Sequence, residues 1–486
     1  MIEVQHYING NWVTTREGAV VRSFNPSNLT DPVGQFVPAT EQEAISAIEA
    51  AERAMPAWRA MSGPLRADYL HRAANVVEQH AEELAQTASR EMGKPINESR
   101  GEMKRAVTLL RYYAGEGFRA LGDVYSATDN RSMLYTNRVP LGVVSVISPW
   151  NFPVAIPIWK MAPALIFGNT VVWKPAESST VTAFRLMQLL ELAGFPPGVV
   201  NMVAGKGSVV GKVLVGHPSI KAVTFTGSNE AGRIVATNAL ENGKKYQLEL
   251  GGKNPSIVTS DADIEHAAAS IASASMRSAG QKCTATSRVI VEESVSECFT
   301  EALIAHIRKL QVSDALEEAC DIGPVVNRMQ QTSILQAIDR GAAEGARLLI
   351  GGHAPGGALK EGSFVEPTVF DRVAPHSAMG QQEIFGPVIS LMTCKDLRQA
   401  LDIANDIPFG LSAGIFTKDI DRMLYFLKGI DAGHIKINGE TAGVEPHAPF
   451  GGMKQSSSHS REQGRAAIEF FTSIQTISVS PSAPRD

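Results

Sequence analysis

The stretch Leu141-Gly142-Val143-Val144-Ser145-Val146-Ile147 is a β-branched run too short for a helix, and it opens a regular alternation. Ile158 to Phe167 reads as helix, Thr170 to Trp173 as strand and Val181 to Ala193 as helix. Val199 to Val203 is expected as strand, Ser208 to Leu214 as helix and Ala222 to Phe225 as strand. Ala231 to Leu240 then reads as helix and Lys245 to Leu250 as strand. Repeated βα units of this kind make a parallel, doubly wound sheet, which binds ligands outside the carboxyl ends of its strands. A second βα series is expected from about Ser256 to Ile437, with strands at 287–292, 346–350, 388–393 and 413–417. Gly251-Gly252 falls between the two series. The fold class is therefore α/β, with two doubly wound parallel-sheet domains.

Working outward, Tyr7-Ile8-Asn9-Gly10-Asn11-Trp12-Val13 reads as a hairpin, because Asn-Gly favours the positive φ of tight turns. Thr40-Glu41-Gln42-Glu43 has the form of a capping box, and about three helices are expected up to Glu116. Residues 131–140 alternate as an extended strand, and so do residues 470–479. Two exposed alternating segments far apart in sequence suggest a shared small sheet, and its edge is a plausible subunit interface.

With 486 residues the chain exceeds the ~250–300 at which single cores stop growing. A hydrophobic share of 44% with 20% charged residues is ordinary for a globular chain. The net charge of −5 argues against nucleic acid or an anionic membrane surface as the main partner. The 4 cysteines form no CxxC pair and no zinc-finger spacing, so no metal is expected and a reducing, cytoplasmic compartment fits. The start, Met1-Ile2-Glu3-Val4-Gln5-His6, lacks the basic and apolar regions of a secretory signal. No apolar run reaches the ~18 residues that a membrane helix needs.

Seven stretches could carry chemistry, and several also have a plain structural reading. Gly280-Gln281-Lys282-Cys283-Thr284 follows a run of small residues and offers Cys283 as a nucleophile, although most cysteines are small buried hydrophobes. Ile147-Ser148-Pro149-Trp150-Asn151-Phe152-Pro153 makes a stiff loop in which the Asn151 amide could meet an oxyanion, or simply a turn. Such donors are worth roughly 10²–10³ in rate. Phe225-Thr226-Gly227-Ser228 ends a strand and starts a helix, where Gly227 and Ser228 could hold a pyrophosphate. Lys174 and Glu177 at another strand end could both reach a ribose, or be a solvated Lys and a helix-start Glu. Leu248-Glu249-Leu250-Gly251-Gly252 places a carboxylate among apolar residues, where its pKa would rise and Glu249 could act as a general base. Glu383-Ile384-Phe385-Gly386-Pro387 sets a Glu and an aromatic before a Gly-Pro break, and Pro449-Phe450-Gly451-Gly452 forms a late loop.

Taken together and in this order, these motifs resemble the aldehyde dehydrogenase superfamily, over essentially the whole chain. The resemblance implies an aldehyde dehydrogenase fold: a Rossmann-like cofactor domain from residues 1–121 and 141–250, and a catalytic domain from 251–450. Residues 122–140 and 465–486 would be oligomerisation strands, and a homo-oligomer, dimer or tetramer, is implied. Cys283 matches the nucleophile, Asn151 the oxyanion donor and Glu249 the base that hydrolyses a thioester. Lys174, Glu177, Gly227, Ser228, Glu383 and Phe385 match the cofactor contacts, with Trp150 and Leu250 lining the same channel. Glu177 favours NAD, with NADP possible.

Arg277, six residues before the nucleophile, matches an Arg that grips a distal carboxylate in succinate-semialdehyde-type relatives, or it pairs with a structural carboxylate. Those relatives carry a second Arg where this chain has Trp159. The tail Ser456-Ser457-Ser458-His459-Ser460-Arg461-Glu462 is one residue longer than the usual Ser-Gly-x-Gly-Arg-Glu. With Gly280 to Arg288 it resembles the 2,5-dioxopentanoate (α-ketoglutarate semialdehyde) dehydrogenases. The expected substrate is that small aldehyde with a distal carboxylate, oxidised to 2-oxoglutarate, with succinate semialdehyde or another small anionic aldehyde as alternatives. A CoA-acylating variant is disfavoured by Glu249, and a non-catalytic protein on this fold by Cys283, Glu249 and Asn151 together.

Overall fold

A computed structural model describes residues 1–482. The first sheet has seven strands: β1 (His6–Ile8), β2 (Asn11–Val13), β3 (Val143–Ile147), β4 (Thr170–Lys174), β5 (Val200–Met202), β6 (Ile220–Thr226) and β7 (Lys245–Glu249). Their order is β7-β6-β3-β4-β5-β1-β2. The pairs from β7 through β5 are parallel. The antiparallel hairpin β1–β2 closes one edge, turning at Asn9 and Gly10 with φ of 52° and 77°. Strand order reverses beside β3, so the carboxyl ends of β3 and β6 part and leave a crevice. The register sets Ile147 level with Phe225 and Lys174, and Thr226 level with Glu249. The side chains singled out from the sequence therefore leave the sheet at one height.

The second sheet also has seven strands: β8 (Asn254–Val258), β9 (Thr286–Glu292), β10 (Arg347–Ile350), β11 (Thr368–Asp371), β12 (Val388–Cys394), β13 (Ser412–Phe416) and β14 (His434–Ile437). The order β10-β11-β12-β9-β8-β13-β14 is parallel except for the edge pair β10–β11. The short strands β8, β11 and β14 were not expected from the sequence; Asn254-Pro255, Pro367 and Gly433 at their starts read as turns.

Four helices, not three, fill the stretch before the first βα unit: α1 (Glu41–Ala60), α2 (Gly63–Gln79), α3 (Ala81–Met92) and α4 (Ile96–Glu116). The unexpected break falls at His80, which caps α2 and starts α3. The capping box forms as expected: Thr40 accepts from the Glu43 N–H, and the Glu43 side chain accepts from the Thr40 N–H. Helix α5 (Ala155–Ile166) follows β3, α6 (Asn229–Glu241) follows β6 and α7 (Ile264–Met276) follows β8. Residues 207–211 form a π turn before a short helix at Lys212–Gly216, where one helix was expected.

Two large hydrophobic clusters lie apart, one among residues 4–222 with 467–471, the other among residues 257–432. The strand Met133–Pro140 pairs antiparallel with Thr472–Val479 along its whole length, as the alternation suggested. Phe470 and Phe471 belong instead to a short helix, Ala467–Phe471, because both rings are buried in the first cluster. Val124, Tyr125, Met133, Ile474 and Val479 leave this small sheet exposed. The last residues of the expected tail, 483–486, lie outside the described residues. No helix among the described residues is long and apolar enough to cross a membrane.

Candidate active site

Helix α7 ends in a turn that no ordinary sequence would adopt. Ser278, Ala279 and Gly280 have φ of 54°, 50° and 68°, three left-handed residues in succession. Left-handed conformations cost a non-glycine residue on the order of 1–3 kcal/mol and persist only where the surroundings over-determine them. Here Glu98 of α4 accepts from both the N–H and the hydroxyl of Ser278, each at 2.7 Å. Gly280 has no alternative: a Cβ there would lie 2.2 Å from the Gly386 carbonyl oxygen. The signature glycine and the distant Gly386-Pro387 break thus meet backbone to backbone. Gln281 is an anchor, its Oε1 accepting from Val326 N at 3.0 Å and its Nε2 donating to Ser278 O at 3.2 Å.

The turn delivers Cys283 to a cavity of about 220 Å³. Trp150, Asn151, Gly227, Ser228, Leu250, Glu383 and Phe385, all singled out from the sequence, line it too. Trp150 and Phe385 face each other edge to face at 5.5 Å and 88°. Asn151 Nδ2 donates one hydrogen to the Gln281 carbonyl at 3.0 Å. That bond fixes the amide and leaves its second hydrogen for another acceptor. The backbone N–H groups of Cys283 and Thr284 turn toward the sulfur and favour its thiolate. Burial outweighs them and, with the charges of Glu383 and Glu249, pushes the thiol up to about 12.

Two carboxylates flank this cavity. Glu383 lies on its lining, accepts from the Gly252 N–H at 3.0 Å, and is pushed up to about 7 by burial. Glu249, at the end of β7, is 2% exposed and does not lie on the lining. Its Oε2 accepts from the Ser457 hydroxyl at 2.6 Å, and its Oε1 has no hydrogen-bond partner among the described residues. Burial first, then the charge of Glu462, drives Glu249 well above the usual carboxylate range.

The cavity continues into a groove of about 720 Å³ across the carboxyl ends of β3, β4 and β6. Pro149, Trp150, Thr226, Gly227 and Ser228 border both. Gly227 sits over the Phe225 ring, where a Cβ would come within 2.6 Å, so the backbone itself forms the wall. Ser228 caps α6 by accepting from Ala231 N at 3.3 Å, which leaves its hydroxyl proton free for a ligand. Lys174 lines the groove and is lowered to about 8 by burial, against the raising effect of Glu177. Glu177 itself borders a neighbouring cleft with Arg22 and Asn327.

A family model described as the aldehyde dehydrogenase family matches residues 12–477. The chain belongs to that family. It is 52% identical over 477 residues to the alpha-ketoglutaric semialdehyde dehydrogenase of Bacillus subtilis, spanning 98% of each chain. It is 40% identical over 475 residues to the alpha-ketoglutarate semialdehyde dehydrogenase of Haloferax volcanii, spanning 97% of this chain and 98% of that one. The solved structure of betaine aldehyde dehydrogenase from Staphylococcus aureus in complex with NAD+ matches with a TM-score of 0.95 at 32% identity, over 99% of this chain and 95% of that one.

Within this aldehyde dehydrogenase, Arg277 stands apart from the cavity lining, exposed, its guanidinium making no hydrogen bond among the described residues. Sequence reading did not find Gln330, which lines the cavity and donates to the Phe385 carbonyl at 3.1 Å. Nor did it find a buried network behind Glu249. Lys160 pairs there with Glu462, which also accepts from Trp159 Nε1 at 2.6 Å. Lys282, next to Cys283, is buried beside Glu98, 3.8 Å away, and also feels the charge of Glu440. Its place inside the signature was the one available signal.

Proposed function

We propose that this aldehyde dehydrogenase oxidises 2,5-dioxopentanoate to 2-oxoglutarate, with NAD as cofactor and NADP as the possible substitute. The observation that carries the reading is the meeting of the Cys283 sulfur and the Asn151 amide on one cavity that opens onto the groove. The groove fits a dinucleotide: backbone forms the wall at Gly227, the start of α6 faces it, and Lys174 projects into it. Lys174, Glu177, Gly227 and Ser228 would hold the adenosine and pyrophosphate side, and Glu383 and Phe385 the other end, with Trp150 and Leu250 between. NAD bound there supplies the hydride acceptor.

The Cys283 thiol gives up its proton to water in the cavity, and the backbone N–H groups of Cys283 and Thr284 favour the thiolate that remains. The sulfur bonds to the aldehyde carbon, and the new oxyanion takes hydrogen bonds from Asn151 Nδ2 and the Cys283 N–H. Once the hydride has left that carbon, Cys283 carries the acyl group as a thioester. Glu249 then takes a proton from water, the water oxygen bonds to the acyl carbon, and sulfur leaves as thiolate. The carboxylate product departs.

The substrate assignment rests on the names of the relatives and on the unpaired guanidinium of Arg277, which a distal carboxylate would complete. Trp159 is engaged by Glu462, so a second guanidinium is lacking where succinate-semialdehyde-type relatives carry one. On the same reading, residues 1–121 with 141–250 form the cofactor domain and 251–450 the catalytic domain. The exposed strands Met133–Pro140 and Thr472–Val479, within the segments 122–140 and 465–486 expected for this role, join copies of a cytoplasmic dimer or tetramer. A panel of 2,5-dioxopentanoate, succinate semialdehyde and propanal, followed at the NADH absorbance with both cofactors, tests this. The highest kcat/KM is expected for 2,5-dioxopentanoate with NAD; a higher value for propanal would refute a carboxylate site.

A further inference from the structure

Residues 456–460, Ser-Ser-Ser-His-Ser, run along the edge strand β7. Leu250 N donates to Ser456 O at 2.8 Å, Ser458 N donates to Leu248 O at 3.0 Å, and Glu249 and Ser457 sit opposite each other. The three neighbouring hydroxyls do different things. Ser456 Oγ accepts from Gly410 N at 3.0 Å and Ser458 Oγ from Leu248 N at 2.9 Å, so both tie backbone. Ser457 Oγ accepts from Gly452 N at 2.6 Å and donates to Glu249 Oε2 at 2.6 Å. Its donor is thereby aimed at the one carboxylate that the chemistry needs to move. The other oxygen, Oε1, is held against Gly451, where a Cβ would lie 2.8 Å away, and has no partner. Neither Gly451 nor Ser457 borders the Cys283 cavity.

We propose that Ser457 is a positioning residue for the hydrolytic half of the reaction, its hydroxyl latching Glu249 away from the Cys283 cavity until a base is required. The latch rests on Glu249 being that base. It is built to release. A carboxylate with one oxygen satisfied and one orphaned is poorly anchored, and a single side-chain rotor holds it. The latch also sets the charge of Glu249. Glu462 disfavours ionisation, while Lys160 from α5, Arg461 from the tail and the Ser457 hydroxyl favour it; the Cys283 sulfur faces the same carboxylate. Loss of the hydroxyl therefore raises the pKa of Glu249, and the acid limb of turnover moves to higher pH.

The test is the pH dependence of kcat in full-length wild type, Ser457→Ala, Ser457→Thr, Ser458→Ala and Glu249→Gln, with NAD and the better of 2,5-dioxopentanoate and propanal. The NADH burst is recorded alongside. A hydrogen bond to a charged group is worth ~1.5–3 kcal/mol, so Ser457→Ala is expected to move the acid limb up by about one pH unit or more. Ser457→Thr returns it toward wild type, and Ser458→Ala, which removes only a backbone acceptor, leaves it in place. An unmoved limb in Ser457→Ala overturns the latch, as does an equal shift in Ser458→Ala, which would mean general loosening of the segment. If Glu249→Gln keeps wild-type turnover, the base assignment itself falls. If it keeps the burst but loses turnover while Ser457→Ala is silent, only the latch falls.

Discussion

Two carboxylates flank the same cysteine, Glu383 half-buried and Glu249 fully buried, and they are held in opposite ways. Glu383 accepts from a backbone N–H, that of Gly252, whose position the chain fixes. Glu249 accepts from a hydroxyl, that of Ser457, which rotates. Glu383 lies on the cavity wall, and Glu249 is turned behind it. Burial raises both pKa values, but Glu249 also feels a second acid, Glu462, whereas Glu383 is eased by Lys253. A fixed carboxylate on a wall suits binding. A raised carboxylate on a single rotor suits proton transfer. The difference fits the proposed roles without reference to position in the sequence.

The comparison can be broken or sharpened by substitution. Removing the group that both carboxylates face has the largest effect: Cys283→Ala is expected to lower kcat by at least about 10⁴-fold, measured as NADH formation. Glu249→Gln is expected to cost roughly 10²–10³ in steady-state turnover while the NADH burst survives. Glu383→Gln, if that carboxylate binds rather than moves protons, is expected to raise KM for NAD by about 10-fold, with a smaller change in kcat. Equal losses in both carboxylate variants would erase the distinction. The smallest effect is expected outside the pair. Arg277→Ala is expected to lower kcat/KM for 2,5-dioxopentanoate about 10-fold, leaving propanal unchanged, because only the former presents a carboxylate to the guanidinium. Turnover is expected to rise with pH across the neutral range, since the Cys283 thiol, pushed up to about 12, and the raised Glu249 both work deprotonated.

The first sheet was legible because its strands are β-branched runs separated by helical periods, and the observed bounds fall within two residues of most expected ones. Strands β8, β11 and β14 were not, because Asn254-Pro255, Pro367 and Gly433 at their starts read as turns. The cavity was legible where a residue follows the carboxyl end of a strand, as with Asn151 and Gly227 on its lining. The contact of Glu249 with Ser457 was not, because it joins positions 208 residues apart and depends on how the tail docks on β7. The left-handed turn at Ser278 and Ala279 was equally hidden, since neither residue type announces a positive φ.

The central claim is that Cys283 carries the acyl group and Glu249 removes it. Glu249→Gln, mixed with 2,5-dioxopentanoate and NAD and quenched in acid, tests this by peptide mass spectrometry. The account predicts a stable acyl adduct on Cys283, close to one per chain and equal in amount to the NADH formed. NADH formation without an adduct, or an adduct on any other residue, would contradict it.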